Sequence, residues 1–477
     1  MKSEFQNGLR VIGSVGSHLD RRQFLGWGSA ALLHKATQAV GRHQHIGSET
    51  SEFRIPLPIP SILDPVRTDA TTDYYEVVQR EAWAEIIPGA RTRIWGYNGS
   101  FPGPTIRARR GRATVVTHTN NLNAPSVVHL HGGVTRPEFD GFPTDAIAPG
   151  ETRRYEYANT GRAATLWYHD HHHLRAGRNL YMGLAGFYLL EDSDEINGRL
   201  PRDKYDIPLM IQDRAFTPDG ELMYDHHGHH GAEGRVMLVN GAPWPTLDVA
   251  RRKYRFRILN GSNATPLRLA LSTGQPMAQI ATDGGLLPRP VSLTNIDITM
   301  GERVEVVVDF SHCPVGSHVT LQNLRARGPL SRVMRFDVVR TERDDSSVPD
   351  VLAEFEPLQA SRATRMRTFV FGEEPRWGMP PGVQWLINGK RFDPSRVDAD
   401  PRLGEVEMWR FVNRSFLGIF TMLHPVHCNR GPFDLIEFWI ENWLLIEFAT
   451  PEMSAQYVDL LTNPEALQAA MAELIAN

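Results

Sequence analysis

Two short segments carry paired histidines: His129-Leu130-His131, and His169-Asp170-His171 within Trp167-Tyr168-His169-Asp170-His171. Each pair ends a β-like run. Side chains alternate across a strand, so residues two apart share a face. Each pair therefore aims two imidazoles in one direction, about 6–7 Å apart at Cα. That spacing suits two neighbouring metal ions better than one. Imidazole is a good ligand for copper, zinc, iron and nickel. A third segment, His424-Pro425-Val426-His427-Cys428-Asn429, lies near the other end of the chain. By parity His427 and Asn429 share one face, and His424 and Cys428 the other. Three such segments, far apart in sequence, predict a cluster assembled between domains.

The elements that hold these side chains read as β-structure. Forty Gly and 33 Pro, with few long helical patterns, favour a turn-rich β protein. Short strand-like runs recur at roughly ten-residue spacing with turn signals between them, as in a sandwich or barrel. Examples are residues 74–87, Thr105-Ile106-Arg107-Ala108 and Ala113-Thr114-Val115-Val116-Thr117. Further on come Tyr254-Arg255-Phe256-Arg257-Ile258 and Arg303-Val304-Glu305-Val306-Val307-Val308-Asp309. Two Asn-Gly turns, Asn240-Gly241 and Asn388-Gly389, hint at weakly repeated domains. At 477 residues the chain has room for two to four domains. A formal net charge of −4 gives no global case for nucleic acid or an anionic membrane as partner. Two cysteines, Cys313 and Cys428, are too few for a disulfide framework.

The same motifs carry a family resemblance. Val128-His129-Leu130-His131-Gly132-Gly133-Val134-Thr135 with Asp140-Gly141-Phe142-Pro143 resembles the first copper-binding segment of multicopper oxidases. Trp167-Tyr168-His169-Asp170-His171, then Gly183-Leu184-Ala185-Gly186-Phe187-Tyr188, resembles the second. Val239-Asn240-Gly241 through Asn260, and Asp283-Gly284-Gly285-Leu286-Leu287, look like the middle domain. The branch most similar is that of bacterial spore-coat laccases and bilirubin oxidases, and the resemblance runs from about residue 54 to about residue 438. It implies tandem cupredoxin-like Greek-key β-sandwiches. The expected layout is a leader and linker at 1–53, then domains at 54–195, 196–345 and 346–450. The last domain is expected to be incomplete, followed by a helical tail at 451–477. The implied activity couples one-electron oxidation of a phenolic, pigment or metal substrate to reduction of dioxygen to water. The implied cofactor is copper, four ions in the family.

The resemblance also distributes the ligands. His129 and His427 match the type 2 copper pair, and His131, His169 and His171 match three of six type 3 ligands. His424 matches the mononuclear blue site. Asp140 matches an acidic residue implied to deliver protons to oxygen, though it could equally cap a turn with Gly141. The chain departs from the family after this point. Asn429 stands where a third histidine is expected, and an amide is a poor copper ligand. No histidine follows His427, so the family's His-Cys-His-x-x-x-His element has no counterpart in this sequence. In an extended strand Cys428 lies about 13 Å from His424, too far to share one copper. After Arg430 the composition also shifts, to eight acidic residues and no Lys, Arg or His. These departures support a second reading: a non-catalytic, truncated or frame-shifted relative with partial copper binding, or one completed by another chain. Either way this chain is expected to hold fewer than four coppers.

Other histidines read as structural. His172 and His173 are expected in solvent, Asp225-His226-His227-Gly228-His229-His230 as a polar loop, and His312 and His318 as structural groups. Cys313 and Cys428 could pair in an exported protein. The N-terminus supports export. Asp20-Arg21-Arg22-Gln23-Phe24-Leu25 resembles a twin-arginine signal, followed by an apolar run at 24–33 too short to span a bilayer. The chain is thus expected outside the cytoplasm, periplasmic or extracellular. Its expected partners are the export machinery, a small reducing molecule and dioxygen.

Overall fold

The computed structural model describes residues 52–192, 198–225, 232–354, 360–376, 382–402 and 405–413. The described chain is overwhelmingly β. The first sandwich pairs two sheets. One contains Arg67–Thr68, Thr72–Ala84, Ala113–Asn120 and Thr152–Tyr157, with Thr92–Tyr97 attached to its second strand. The other runs Gly103–Arg109, Ala185–Glu191, Ala164–Asp170, Val128–His131 in spatial order. Thr72–Ala84 pairs Ala113–Asn120 in parallel, and Gly103–Arg109 pairs Ala185–Glu191 in parallel. Parallel neighbours require crossovers between sheets, as Greek-key connections provide. Val77, Val116 and Tyr155 of the first sheet meet Ile106, Val128, Leu130, Leu166 and Tyr188 of the second in one buried core.

The middle sandwich repeats the plan with a seven-stranded and a five-stranded sheet. Strands such as Asp206–Arg214 and Arg303–Asp309 are buried almost throughout. Their apolar residues fill the core, and their buried charged residues are paired, as Asp206 and Glu305 are with Arg255 and Arg257. A three-stranded sheet follows: Gly382–Ile387, Ala363–Arg376 and Val406–Asn413.

Residues 340–347, a charged run whose composition suits a linker, are bound to the middle sandwich. Asp344 accepts from the Lys253 backbone N–H at 3.0 Å and pairs with Arg252 at 3.3 Å. Ser347 N–H donates to the Arg199 carbonyl at 2.8 Å. The charges of the segment thus bind it to the middle sandwich. Residues 1–51, 226–231 and everything from residue 414 onward lie outside the described residues. That includes His424, His427, Cys428 and the expected tail helix.

Candidate metal centre

Strand register builds the site. Val128–His131 runs antiparallel to Ala164–Asp170, with His129 opposite His169 and His131 opposite Trp167. Val128, Leu130 and Tyr168 alternate with these residues and enter the core of the first sandwich. The histidines therefore face outward from that sandwich. His129 and His169 are buried and His131 and His171 half-buried, because the middle sandwich covers much of this face. Trp167, Ala185, Phe187 and Leu189 pack there against Met210 and Leu259. An outward face of one domain thus becomes an interior between two.

The four imidazoles cluster tightly. His129 lies 5.7 Å from His131, 5.4 Å from His169 and 5.0 Å from His171, centroid to centroid. His131 and His169 are 5.4 Å apart, and His169 and His171 5.7 Å. One ligand atom from each of His129, His131 and His169 lies within 4.8 Å of the other two.

Hydrogen bonding sets which nitrogen each ring offers. His129 Nδ1 lies 2.6 Å from the Asp140 carbonyl oxygen, and His169 Nδ1 lies 2.8 Å from the Asp170 carbonyl oxygen. A carbonyl only accepts, so each Nδ1 carries the proton and each Nε2 keeps a lone pair. This is the outer-shell arrangement that orients metal-bound imidazoles. His131 Nδ1 and His169 Nε2 approach to 3.2 Å. Two nitrogens bound tetrahedrally at about 2.0 Å would be about 3.3 Å apart, so the pair fits one shared ion. His171 Nδ1 is buried without a hydrogen-bond partner among the described residues. The donor set is all imidazole, neutral and convergent, and it fits copper.

Burial keeps His129 and His171 neutral. It pushes His129 down to about 4; the Arg303 guanidinium adds to this, and the Asp140 carbonyl opposes it. His171 is also pushed down to about 4, mainly by burial. Asp170, between the two histidines, is pushed up to about 7 by burial. The N–H groups of His172 and Val127 bind its carboxylate at 3.0 and 3.1 Å and oppose that rise.

Asp140 follows the short 3-10 turn Pro137–Phe139. Its Oδ1 accepts from the Thr135 hydroxyl at 3.0 Å and lies 3.5 Å from His129 Nδ1. Next to it, Gly141 has φ +80°, and a Cβ there would fall 2.2 Å from the Val128 carbonyl oxygen. Only glycine allows the chain to pass so close beneath His129. Both the turn with Gly141 and the contact with the site are therefore present. His172 and His173 lie outside the cluster, with His173 exposed. His318 is exposed and bonded to Asp337 at 2.7 Å. Cys313 is buried beside Gln275.

Some site residues were not separately legible in the sequence. The Trp167 ring stacks on His169 at 4.0 Å and flanks His131 at 5.0 Å. Its odd position in Trp167-Tyr168-His169 was the available signal, because it shares the histidine face. From the middle sandwich, Gly301 and Arg303 reach the same place. A Cβ on Gly301 would lie 3.3 Å from His131 Cε1. Nothing local in their sequence points across a domain boundary.

Comparison with known proteins agrees with this geometry. Two family models described as multicopper oxidase match residues 79–195 and 166–334. The chain is 37% identical to a laccase of Bacillus stratosphericus, over 80% of this chain and 83% of that protein. It is 35% identical to the bilirubin oxidase of Albifimbria verrucaria, over 83% of this chain and 72% of that one. The crystal structure of a laccase from Pediococcus acidilactici superposes with a TM-score of 0.69 at 31% identity, covering 76% and 77% of the two chains. The chain belongs to the multicopper oxidase family. It is a laccase-like oxidoreductase of cupredoxin-type fold whose cofactor is copper and whose reactants are a small molecule and dioxygen.

Proposed function

We propose that His129, His131, His169 and His171 are the copper ligands that the first sandwich contributes, with His427 joining His129 and His424 belonging to a separate site. The observation that carries this is the convergence of neutral imidazole lone pairs between two domains. Copper held there supplies one-electron redox chemistry and the place where dioxygen is reduced to water. The residues around it do three things. The carbonyls of Asp140 and Asp170 fix the tautomers of His129 and His169. The packed faces of Phe187, Leu189, Met210 and Leu259 exclude bulk water. The Asp140 carboxylate, 15% exposed, accepts a proton from the solvent side and holds it near His129. The reducing substrate is a phenol, a pigment or a metal ion, and the chain works after twin-arginine export.

The copper complement we propose is below four. One observation favours this second, reduced reading: between His427 and Asn477 the sequence has no histidine, and Asn429 stands where the family has a histidine. The test is copper per chain by mass spectrometry, with absorption spectra and dioxygen uptake on a diphenol. Copper should bind, fall by at least one equivalent in His169→Ala, and give no intense thiolate-to-copper band. Unchanged copper in a His129→Ala, His169→Ala double variant would overturn the ligand assignment. A strong red-region band that disappears in Cys428→Ser would overturn the reduced complement.

A further inference from the structure

We infer that Arg303 of the middle sandwich, paired with Asp283, is a positioning residue that aligns both histidine strands of the first sandwich for copper binding. The inference rests on the reading that those histidines hold copper.

Arg303 opens the strand Arg303–Asp309, and only 2% of its side chain is exposed. A buried guanidinium is costly unless its donors are satisfied. Here the partners are directional. Nη1 lies 2.6 Å from Asp283 Oδ1 and donates to the Gly301 carbonyl at 3.0 Å. Nη2 lies 3.4 Å from the Asp283 carbonyl. The Arg303 backbone N–H also donates to Asp283 Oδ1, at 2.8 Å. These bonds fix the fork within its own domain.

The remaining contacts cross to the other domain. Nε donates to the Thr165 carbonyl at 3.1 Å. Thr165 lies on Ala164–Asp170, the strand that delivers His169. On the other side the guanidinium covers Gly132, the residue after His131. A Cβ on Gly132 would fall 2.6 Å from Nη2, so the contact requires glycine there. Gly132 also has φ +84°. Gly301, held by the same guanidinium, closes on the edge of the His131 ring. One planar group thus touches the end of one ligand strand, the body of the other, and the loop that covers His131. A second tie lies beside it: the Thr165 hydroxyl donates to the buried Glu305 at 2.7 Å. Glu305 anchors Thr165 through its side chain, whereas Arg303 also contacts the His131 end. An ammonium has no planar fork and cannot reproduce this geometry.

The experiment measures copper affinity by competition with a chromogenic chelator, the Cu(II) EPR spectrum, and the melting temperature of the copper-free protein. Arg303→Met should fold with a lower melting temperature, bind copper on the order of 10- to 100-fold more weakly, and show altered EPR hyperfine splitting. Arg303→Lys should recover the melting temperature more than the copper affinity. Should Arg303→Met fail to fold, Asp283→Asn keeps the shape and weakens only the charge pairing. It should lower copper affinity several-fold with little change in melting. Wild-type affinity and EPR in variants that merely melt earlier would overturn the inference. Loss of the ligand reading itself looks different, because wild-type copper would then be insensitive to His169→Ala.

Discussion

The first sandwich buries histidines in two places, and only one is a site. His118 lies on Ala113–Asn120 and points into the sandwich, boxed by Tyr97 at 5.7 Å, Tyr155 at 5.6 Å and Tyr168 at 6.2 Å. Its Nδ1 has no hydrogen-bond partner. Burial pushes it down to about 3. The four site histidines are on or just beyond strands of the opposite sheet and face the other way. His129 and His171 are also pushed down by burial, yet backbone carbonyls accept the Nδ1–H hydrogen bonds of His129 and His169. Tyr168 divides the two regions: its ring joins the box around His118, while its neighbours Trp167 and His169 face the site. Burial makes an imidazole neutral in either place. Convergence of lone pairs, which needs several strands and a second domain, makes a ligand set.

The sharpest break of this comparison exchanges the two losses. His118→Ala should cost about 3 kcal/mol, as for other large core side chains, with copper per chain unchanged. His129→Ala should remove at least one copper equivalent with a smaller loss of copper-free stability. Denaturant melts with metal analysis would decide, and copper depletion in His118→Ala would erase the distinction.

A backbone change should disturb the site side alone. Gly141→Ala would place a methyl against the Val128 carbonyl at a residue with φ +80°. We expect a cost of about 2 kcal/mol and weaker copper binding, because the Asp140 carbonyl must move off His129. Wild-type copper affinity in a stable Gly141→Ala protein would show that the carbonyl does not orient that ring.

The effect that is smallest per unit of change is in acid. His118 holds no proton in the folded state until about pH 3, whereas the unfolded chain takes one near 6.5. The unfolded state therefore binds more protons between these values. Copper-free stability should be full above about 6.5 and fall on acidification at about 1.4 kcal/mol per pH unit for this group. His129 and His171 add to the slope down to about 4. His118→Phe should make the slope shallower by one proton without affecting copper binding near neutral pH. An unchanged slope would mean that His118 is not the neutral buried group described.

Much of this was legible because strand alternation is local. Val304, Val306 and Val308 enter the core from a run that reads as a strand in the sequence. The same rule placed His129 with His131 and His169 with His171. The charged run at 340–347 carried no sign of its partners, because Arg252 and Lys253, which pair with Asp344, lie about ninety residues away. Gly141 carried a turn signal, but its close approach to Val128 carried none.

By itself the sequence determined the all-β class, the face each histidine takes and the chemistry of the donors. Period-two side-chain direction and imidazole's preference for transition metals depend only on residue type and spacing. Tertiary structure alone decided that the outward face of the first sandwich becomes an interior. It also decided that His131 and His169 meet at 3.2 Å, and that Arg303 ties them to another domain. Each of these depends on groups far apart in the chain, whose approach is set by how two sandwiches pack.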